Sequence, residues 1–232
     1  MKCADGKLDG GIGKFFPESV KNDIISQFSI EDDSVIFIVG DAAKTVFAAL
    51  GALRIELAKR ESLIDSNKWA PLWVVDFPLV EWNEDKNRWD ALHHPFTSPN
   101  LEDLDKFDSE PGNMRSLGYD LVMNGYELGG GSIRIHDKDL QSRIFTLLGI
   151  SGEEAQEKFG FLMDAFKYGA PPHGGMAFGF DRIVMLLAGS SQIRDVIAFP
   201  KTTSALSLMD NSPSPVSEEQ LEELHLAITD DD

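Results

Sequence analysis

The sequence predicts an α+β fold in which an antiparallel sheet is flanked by helices and preceded by a small α/β piece. Apolar and polar side chains alternate through GYDLVMNGYELGGGSIRIHD, residues 118–137, as in two half-buried strands joined by a turn. The stretch PHGGMAFGFDRIVMLL, residues 172–187, indicates a short glycine-rich strand that runs into an apolar helix starting near Asp181. A doubly wound parallel sheet would instead show uninterrupted apolar strands separated by helices.

The first unit is predicted to span residues 1–68 and to mix short strands with helices. The pattern predicts a strand over Gly11–Phe16, a helix over Pro17–Phe28 with proline in its first turn, a buried strand over Ser34–Gly40 and a long helix over Asp41–Leu63 capped by Asp41. The run GGIGK does not fit a phosphate-binding loop, because neither the glycine spacing nor the residue after Lys14 matches that motif.

Residues 69–232 are predicted to carry the main sheet and most of the helices. Pro71–Trp82 and Arg88–His94 indicate an antiparallel hairpin that returns the chain to this sheet. The polar residues 100–114, with a short helical pattern at Leu101–Phe107, are a candidate mobile segment over the site. Helices are predicted over Lys138–Leu148, Gly152–Phe159 and Gly160–Tyr168, and an acidic helix closes the chain.

Composition and charge narrow the class of protein. The single cysteine, Cys3, gives neither a disulfide framework nor a cysteine cluster for zinc. No apolar run reaches the ~20 residues of a membrane span, and the N-terminus lacks the apolar core of a secretory signal, which favours a cytoplasmic protein without a membrane partner. The net charge of −18, part of it in Ser217–Leu224 and in the expected frayed end Asp230–Asp232, disfavours nucleic-acid binding by this chain alone.

Three features allow both a structural and a functional interpretation. The run Gly129–Gly131 is either a glycine-rich hairpin turn or a place where another backbone or a ligand approaches closely. Arg182 either buries only its stem or lies beside a flat ligand on the glycine-rich strand. Adjacent histidines on a strand point to opposite faces, so His93 and His94 are not a metal pair by alternation alone. They are either polar strand-end residues or sensors of a substrate ammonium or phosphate.

Four blocks together carry a family resemblance. GFDR preceded by GGMAF resembles motif 3 of the class II aminoacyl-tRNA synthetases. The 118–137 stretch, with ALHHPFT at Ala91–Thr97 and IRDVIAFPKT at Ile193–Thr202, is similar to the bacterial-type aspartyl-tRNA synthetases. The blocks stand in the family's order and cover nearly the whole chain. Residues 1–68 then resemble the later part of the GAD-like insertion domain, and residues 69–232 the C-terminal part of the catalytic domain.

The resemblance implies where the amino acid binds. It places His93, and His94 beside it, at the amino-acid and ATP pocket, and makes Arg134 the residue that recognises the substrate's side-chain carboxylate. A guanidinium fork pairs bidentately with a carboxylate, and an interior position strengthens the pairing. Ser132 and the backbone of Gly129–Gly131 are expected as hydrogen-bonding neighbours.

The resemblance also implies an ATP and magnesium site. Asp120 and Glu127 match acidic residues that engage magnesium and ATP, and carboxylate oxygens are hard ligands that suit this ion. Arg182 is expected against the adenine ring, reaching towards the triphosphate, so that Glu127 and Arg182 are the catalytic residues. The ATP-binding residues expected to frame Arg182 are Gly179, Phe180 and Asp181. The family more often has leucine where Phe180 stands, and the added aromatic ring is expected to pack beneath the site.

The resemblance implies a larger enzyme than these residues contain. A complete member has an anticodon-binding barrel, a motif 1 that builds the homodimer, and a motif 2 arginine that binds the α-phosphate, and it charges the acceptor end of a tRNA. None of these motifs stands in the sequence, so we expect the C-terminal portion of such an enzyme, inactive alone. Alternatives are a non-catalytic synthetase-derived binding or assembly module and a small-molecule adenylate-forming amide ligase on the same fold.

Overall fold

The computed structural model describes residues 1–229, and the chain divides into two compact units, Met1–Lys68 and a second unit from Trp69 onward. The expected frayed end Asp230–Asp232 lies outside the described residues. None of the described helices is both long and apolar enough to cross a membrane.

The first unit contains a small antiparallel hairpin and two helices. Its elements are β1 (Lys2–Ala4), β2 (Lys7–Asp9), α1 (Glu18–Phe28) and α2 (Ala43–Arg60). The strand expected over Gly11–Phe16 is wrong, because Gly11–Phe15 is a 3-10 helix. Gly10 and Gly11 adopt positive φ angles of 80° and 55°, which bends the chain away from an extended path.

The strand expected over Ser34–Gly40 is also wrong. Val35 forms only an isolated bridge with Lys2, and Ile36 exchanges backbone hydrogen bonds with Met1. Beyond that point no described strand pairs with the segment, and Phe37 is 52% exposed rather than buried. Apolar composition alone therefore does not make a strand, since a strand needs a partner for its backbone groups.

The predicted starts of both helices in this unit shift by one or two residues. Pro17 is the N-cap of α1 rather than a residue of its first turn. The long helix begins at Ala43, and its N-cap is Ala42 and not Asp41; the Asp41 carboxylate accepts a hydrogen bond from the N–H of Ala42, ahead of the helix. The capping atoms of a real N-cap side chain must reach the second or third helical N–H.

The main sheet of the second unit confirms the α+β prediction. Its strands are β3 (Pro71–Val74), β6 (Gly118–Met123), β7 (Tyr126–Ile133) and β8 (Gly174–Phe178), and every neighbouring pair in the order β3-β6-β7-β8 is antiparallel. The turn of the central hairpin is Asn124–Gly125, both at positive φ as in tight hairpin turns.

The expected hairpin between residues 71 and 94 is only partly correct. Its first residues form β3 in the main sheet, while β4 (Val80–Asn83) and β5 (Arg88–Ala91) pair in a separate two-stranded sheet. Trp82 and Trp89 face each other across that hairpin with ring centroids 5.2 Å apart. Aspartate and proline at positions 76 and 78 follow β3, and Asp76 has a positive φ of 58°, which separates the two strands.

The helices of the second unit pack against the sheet and against each other. They are α3 (Lys138–Leu147), α4 (Gly152–Phe166), α5 (Phe180–Leu187) and the short α6 (Glu218–Glu223). The two helices expected between residues 152 and 168 are one continuous helix, because Gly160 is a buried helical residue and not a break. In α5 the most buried side chain is Met185, whereas Leu187, at the end of the helix, is 68% exposed.

Hydrogen bonds hold the polar segment 100–114, which was expected to be mobile, against its neighbours. Residues Leu101–Lys106 form a 3-10 helix, not an α-helix. Within it Asp103 is 2% exposed and accepts hydrogen bonds from Lys106 Nζ (2.7 Å) and from the backbone N–H and Nε of Arg115 (3.0 and 2.8 Å). The segment is therefore fixed to the residues that directly precede β6.

Candidate functional site

A β-bulge places two carboxylates on one face of the main sheet. Leu121 pairs with Gly129, but Val122 pairs with Glu127, so Leu128 is an extra residue in β7. Asp120 and Val122 lie two residues apart and share a face, and Glu127 stands directly opposite Val122. Simple alternation counted back from Gly130 would have turned Glu127 to the other face, so sequence periodicity alone misplaces it.

The glycine run lies inside β7 and is not the hairpin turn. A side chain at Gly129 would meet the carbonyl oxygen of Ala177 at 2.5 Å, one at Gly130 would collide with the Asp120 carboxylate, and one at Gly131 with the carbonyl group of Gly175. The turn interpretation is therefore wrong. Close approach by a neighbouring backbone and by one carboxylate is what requires glycine at these three positions.

Most of the expected site residues line one cavity of about 450 Å³ on this face of the sheet. The expected residues that line it are His93, His94, Asp120, Glu127, Ser132, Arg134, Gly179 and Arg182, together with Gly129–Gly131. Phe180 and Asp181 do not line it, and Phe180 is 74% exposed on α5. The added aromatic ring therefore does not pack beneath this cavity.

His94 holds Arg134 at one end of the cavity. Arg134 Nη1 lies 3.2 Å from His94 Nδ1, and the backbone N–H of Phe96 donates to the same nitrogen at 3.0 Å. A guanidinium has no acceptor atom, so Nδ1 must be the unprotonated ring nitrogen. Burial, followed by the positive charge of Arg134, lowers the pKa of His94 below its ordinary value. His94 is therefore a neutral acceptor, which argues against the interpretation that it titrates near neutrality to sense a charge.

The two adjacent histidines have different surroundings. His93 is exposed, and its ring stands edge-on to Phe77 with centroids 4.7 Å apart. It also lies over Gly118, where an added side chain would come within 3.1 Å of the imidazole. Both histidines follow β5 and are not part of it, so they reach the cavity from a loop and not from a strand end.

Thr97 is a cavity residue that the sequence analysis did not single out. It is 3% exposed, forms an isolated bridge with Arg134, and donates from Oγ1 to the buried Ser132 Oγ at 3.3 Å. Its position three residues after His94 in ALHHPFT was the available signal. The pair adds two hydroxyl groups to the lining of the cavity that Arg134 also lines.

Arg182 and Glu127 form the opposite end of the cavity. Arg182 Nη1 donates to the backbone carbonyl of Glu127 at 2.7 Å and lies 3.8 Å from the Glu127 carboxylate, and both side chains are about half exposed. The N–H of Gly179 donates to the carbonyl of Leu128 at 2.7 Å, which joins α5 to the bulge of β7. This end therefore presents a cation beside the Glu127 carboxylate, open to solvent.

Within residues 1–229 no group of three or more His, Cys, Asp and Glu side chains is arranged to hold a metal ion. Asp120 and Glu127 offer carboxylate oxygens on one face of adjacent strands. A pair of carboxylates is the protein contribution typical of Mg²⁺ sites in which phosphate oxygens and water complete the shell. The donor set therefore fits a magnesium ion that enters with a phosphate ligand.

The antiparallel sheet carries one cavity that is lined by Arg134 and by the pair Arg182 and Glu127. A family model described as tRNA synthetases class II (D, K and N) matches residues 19–203, and the chain belongs to this family. The resemblance to class II aminoacyl-tRNA synthetases is thereby confirmed.

Curated relatives that this chain matches over nearly its whole length are named aspartate–tRNA ligases. The chain is 54% identical over 228 residues to the aspartate–tRNA(Asp/Asn) ligase of Caldanaerobacter subterraneus subsp. tengcongensis, covering 98% of this chain and 38% of that protein. It is also 54% identical over 228 residues to the aspartate–tRNA ligase of Staphylococcus carnosus, covering 98% and 39%. An aspartyl tRNA synthetase structure from Entamoeba histolytica aligns at 23% identity with a TM-score of 0.46, covering 80% of this chain and 31% of that one. The chain thus spans less than two fifths of these curated relatives.

Proposed function

We propose that this chain is part of an aspartate–tRNA ligase, which activates aspartate with ATP to aspartyl-adenylate and transfers it to tRNA. The observation that carries the proposal is one cavity with the Arg134 guanidinium at one end and Asp120, Glu127 and Arg182 at the other. Relatives named aspartate–tRNA ligases over nearly the whole chain support the choice of amino acid.

The Arg134 end suits the side-chain carboxylate of aspartate. His94 occupies Nη1 of the guanidinium, and no other hydrogen bond of this guanidinium occurs within residues 1–229. The remaining donors form a planar edge that matches a carboxylate. Thr97 and Ser132 line the same cavity and are joined by a buried hydrogen bond.

The other end suits ATP. Arg182 offers a planar cation for the adenine ring and the triphosphate, and its bonds to Glu127 hold it at the cavity wall. Asp120 and Glu127 would hold a magnesium ion, which would neutralise phosphate charge when bound. In the proposed reaction an α-carboxylate oxygen of aspartate attacks the α-phosphorus of ATP, the bond to the bridging oxygen breaks, and pyrophosphate leaves.

Electrostatic stabilisation of that transition state needs more than these residues supply. The sequence contains no counterpart of the α-phosphate-binding arginine of motif 2, and removal of one such donor typically costs a factor of ~100 to 1,000 in rate. We therefore propose that the 232 residues alone do not form the adenylate. The complete enzyme, a cytoplasmic homodimer in this proposal, would bind the tRNA acceptor end.

Aspartate-dependent exchange of pyrophosphate into ATP tests the proposal. The samples are the 232-residue chain and a chimera in which this chain replaces the matching 228 residues of the Staphylococcus carnosus ligase. The chimera should exchange with aspartate and not with asparagine or glutamate, and the chain alone should not exchange. A chimera that activates another amino acid in preference to aspartate would contradict the assigned substrate, and exchange by the chain alone would contradict the requirement for further residues.

A further inference from the structure

Gln141 is a buried amide that the proposed reaction does not use. It lies on α3, its side chain is fully buried, and its neighbours Ile144 and Phe145 are core residues. Its Nε2 donates to the carbonyl of Pro95 at 2.9 Å, while Oε1 has no hydrogen-bond partner among the described residues. A buried amide whose oxygen lacks a hydrogen bond lowers the stability of the fold, compared with an apolar side chain of the same length.

The hydrogen bond from Gln141 fixes the turn that presents His94. The N–H of Thr97 donates to the carbonyl of His94 at 3.1 Å, which closes a four-residue turn with Pro95 in its second position. Proline has the carbonyl as its only backbone hydrogen-bonding group, and that group points away from the bond that closes such a turn. Gln141 therefore satisfies the one polar backbone group of Pro95 and anchors the turn to α3.

The orientation of this turn determines where the His94 imidazole points. His94 Nδ1 accepts from the N–H of Phe96 inside the same turn and from Arg134 Nη1. The contacts thus run without interruption from Gln141 through Pro95 and His94 to the guanidinium that faces the cavity. A rotation of the turn would carry His94 away from Arg134 and leave that long side chain free to change rotamer.

We propose that Gln141 is a positioning residue for the amino-acid end of the cavity, acting through the Pro95 turn and His94 on Arg134. This inference rests on the proposed function, in which Arg134 binds the aspartate side chain. It assigns a role in amino-acid affinity to a side chain that does not line the cavity.

The test uses Gln141→Met in the 232-residue chain, because methionine keeps the length and volume of the side chain and removes the donor. The matched control is Gln156→Met, an exposed glutamine on the neighbouring helix α4. Long-range ¹H–¹⁵N spectra of the imidazoles report the tautomer of His94. The unaltered chain and the control should show Nδ1 as a fixed acceptor, whereas Gln141→Met should shift both His94 nitrogen signals towards the average of a freely exchanging ring.

Ligand-observed NMR then separates the two ends of the cavity. Gln141→Met should weaken binding of L-aspartate about tenfold, on the scale of one lost hydrogen bond, and change binding of ATP–Mg²⁺ less than about twofold. Unchanged His94 signals in a chain that still binds aspartate would overturn the inference and leave the proposed function standing. Loss of His94 order without any aspartate binding in the unaltered chain would support the positioning role and contradict the proposed ligand.

Slow hydrogen exchange in the unaltered chain gives a measurement that does not depend on how the variant folds. The side-chain amide protons of Gln141 should exchange with solvent much more slowly than those of Gln156. Equal exchange rates would show that the bond to Pro95 does not persist in solution, and would overturn the inference even if Gln141→Met failed to fold.

Discussion

Arg134 meets His94 on one side and the cavity on the other, so a ligand carboxylate would complete its hydrogen bonding. Replacing Arg134 with Leu in the chimera should weaken aspartate binding by about 3 to 5 kcal/mol, because a carboxylate would be left without its partner. The KM for ATP should change much less. Arg134→Lys, which keeps the charge and loses the fork, should recover only part of the affinity. Equal losses for both substrates would show that the arginine is structural.

The neutral state of His94 has a consequence for pH dependence. Its pKa in the folded chain lies below the ordinary value of 6.5, so the unfolded chain takes up this proton first as pH falls. Aspartate affinity should therefore be constant from about pH 8 to 6.5 and should fall below that range, since protonated Nδ1 no longer accepts from Arg134. The chimera's exchange rate at low aspartate, measured from pH 8 to 5, checks this. A His94→Gln variant should lose that pH-dependent step.

Some residues of the candidate site could be identified from the sequence, and others could not. Asp120 and Arg134 were singled out by the family resemblance, and both line the cavity. Thr97 and Gln141 were missed, since a threonine near a strand end and a glutamine on an amphipathic helix are ordinary there. Only the folded chain brings Gln141 to Pro95, 46 residues earlier. Roles that depend on such distant contacts have no local signature.

At the scale of elements, the bulge in β7 decides which of Glu127 and Leu128 presents an exposed side chain at the cavity. Both residues line the cavity, but Leu128 is 4% exposed whereas the Glu127 side chain is about half exposed. Exchanging the two residues, Glu127→Leu with Leu128→Glu, should therefore fail to restore a carboxylate pair and should bury an unpaired charge. We expect loss of Mn²⁺–ATP binding, followed by paramagnetic relaxation, and destabilisation of more than about 2 kcal/mol. A double variant that retains both metal–nucleotide binding and stability would contradict the assigned register.

Local signals predicted some elements better than others. The hairpin of β6 and β7 could be predicted from local sequence, because a tight turn joins two alternating stretches. The same holds for α3, whose N-cap Asp137 accepts a hydrogen bond from the N–H of Leu140. The segment Ser34–Gly40 does not, because its apolar residues give no information about a pairing partner. The bulge was equally invisible, since it depends on the register between two strands.

The buried ion pair of Asp103 should stabilise the segment before β6. Hydrogen bonds, first from the Arg115 side chain and then from Lys106, hold the pKa of Asp103 far below its ordinary value of 3.8. The stabilisation is therefore complete above about pH 4 and is lost as pH falls further. Asp103→Asn should lower the melting temperature of the second unit by roughly 5 to 15 °C at pH 7, and by less at pH 3.

Tryptophan fluorescence measures this effect selectively, because all four tryptophans lie in the second unit. Asp164→Asn is the matched control, since Asp164 pairs with Lys167 but is about half exposed. Exposed pairs contribute little, so this variant should shift the melting temperature by no more than about 2 °C. Equal shifts for the two variants would mean that burial does not decide the strength of the Asp103 pair.

On the scale of the whole molecule, apolar exposure and net charge oppose each other. The two outer strands of the main sheet expose Trp73 (56%) and Phe178 (57%), and exposed strand edges favour association with a second copy. The net charge of −18 opposes that contact through repulsion that salt screens. Sedimentation velocity at about 20 µM should therefore show more dimer and larger species at 0.5 M NaCl than at 0.05 M. Association that weakens with salt would point to polar contacts instead.

The three glycines within β7 also constrain the gene. Every missense change of one nucleotide in a glycine codon adds at least a Cβ atom, and at Gly129, Gly130 and Gly131 that atom meets a backbone carbonyl or a carboxylate. A missense change at Gly129 or Gly131 would therefore force neighbouring strands apart, and one at Gly130 would displace the Asp120 carboxylate. At Gly152, where nothing lies within 4 Å of an added Cβ, the same class of nucleotide change meets no such barrier.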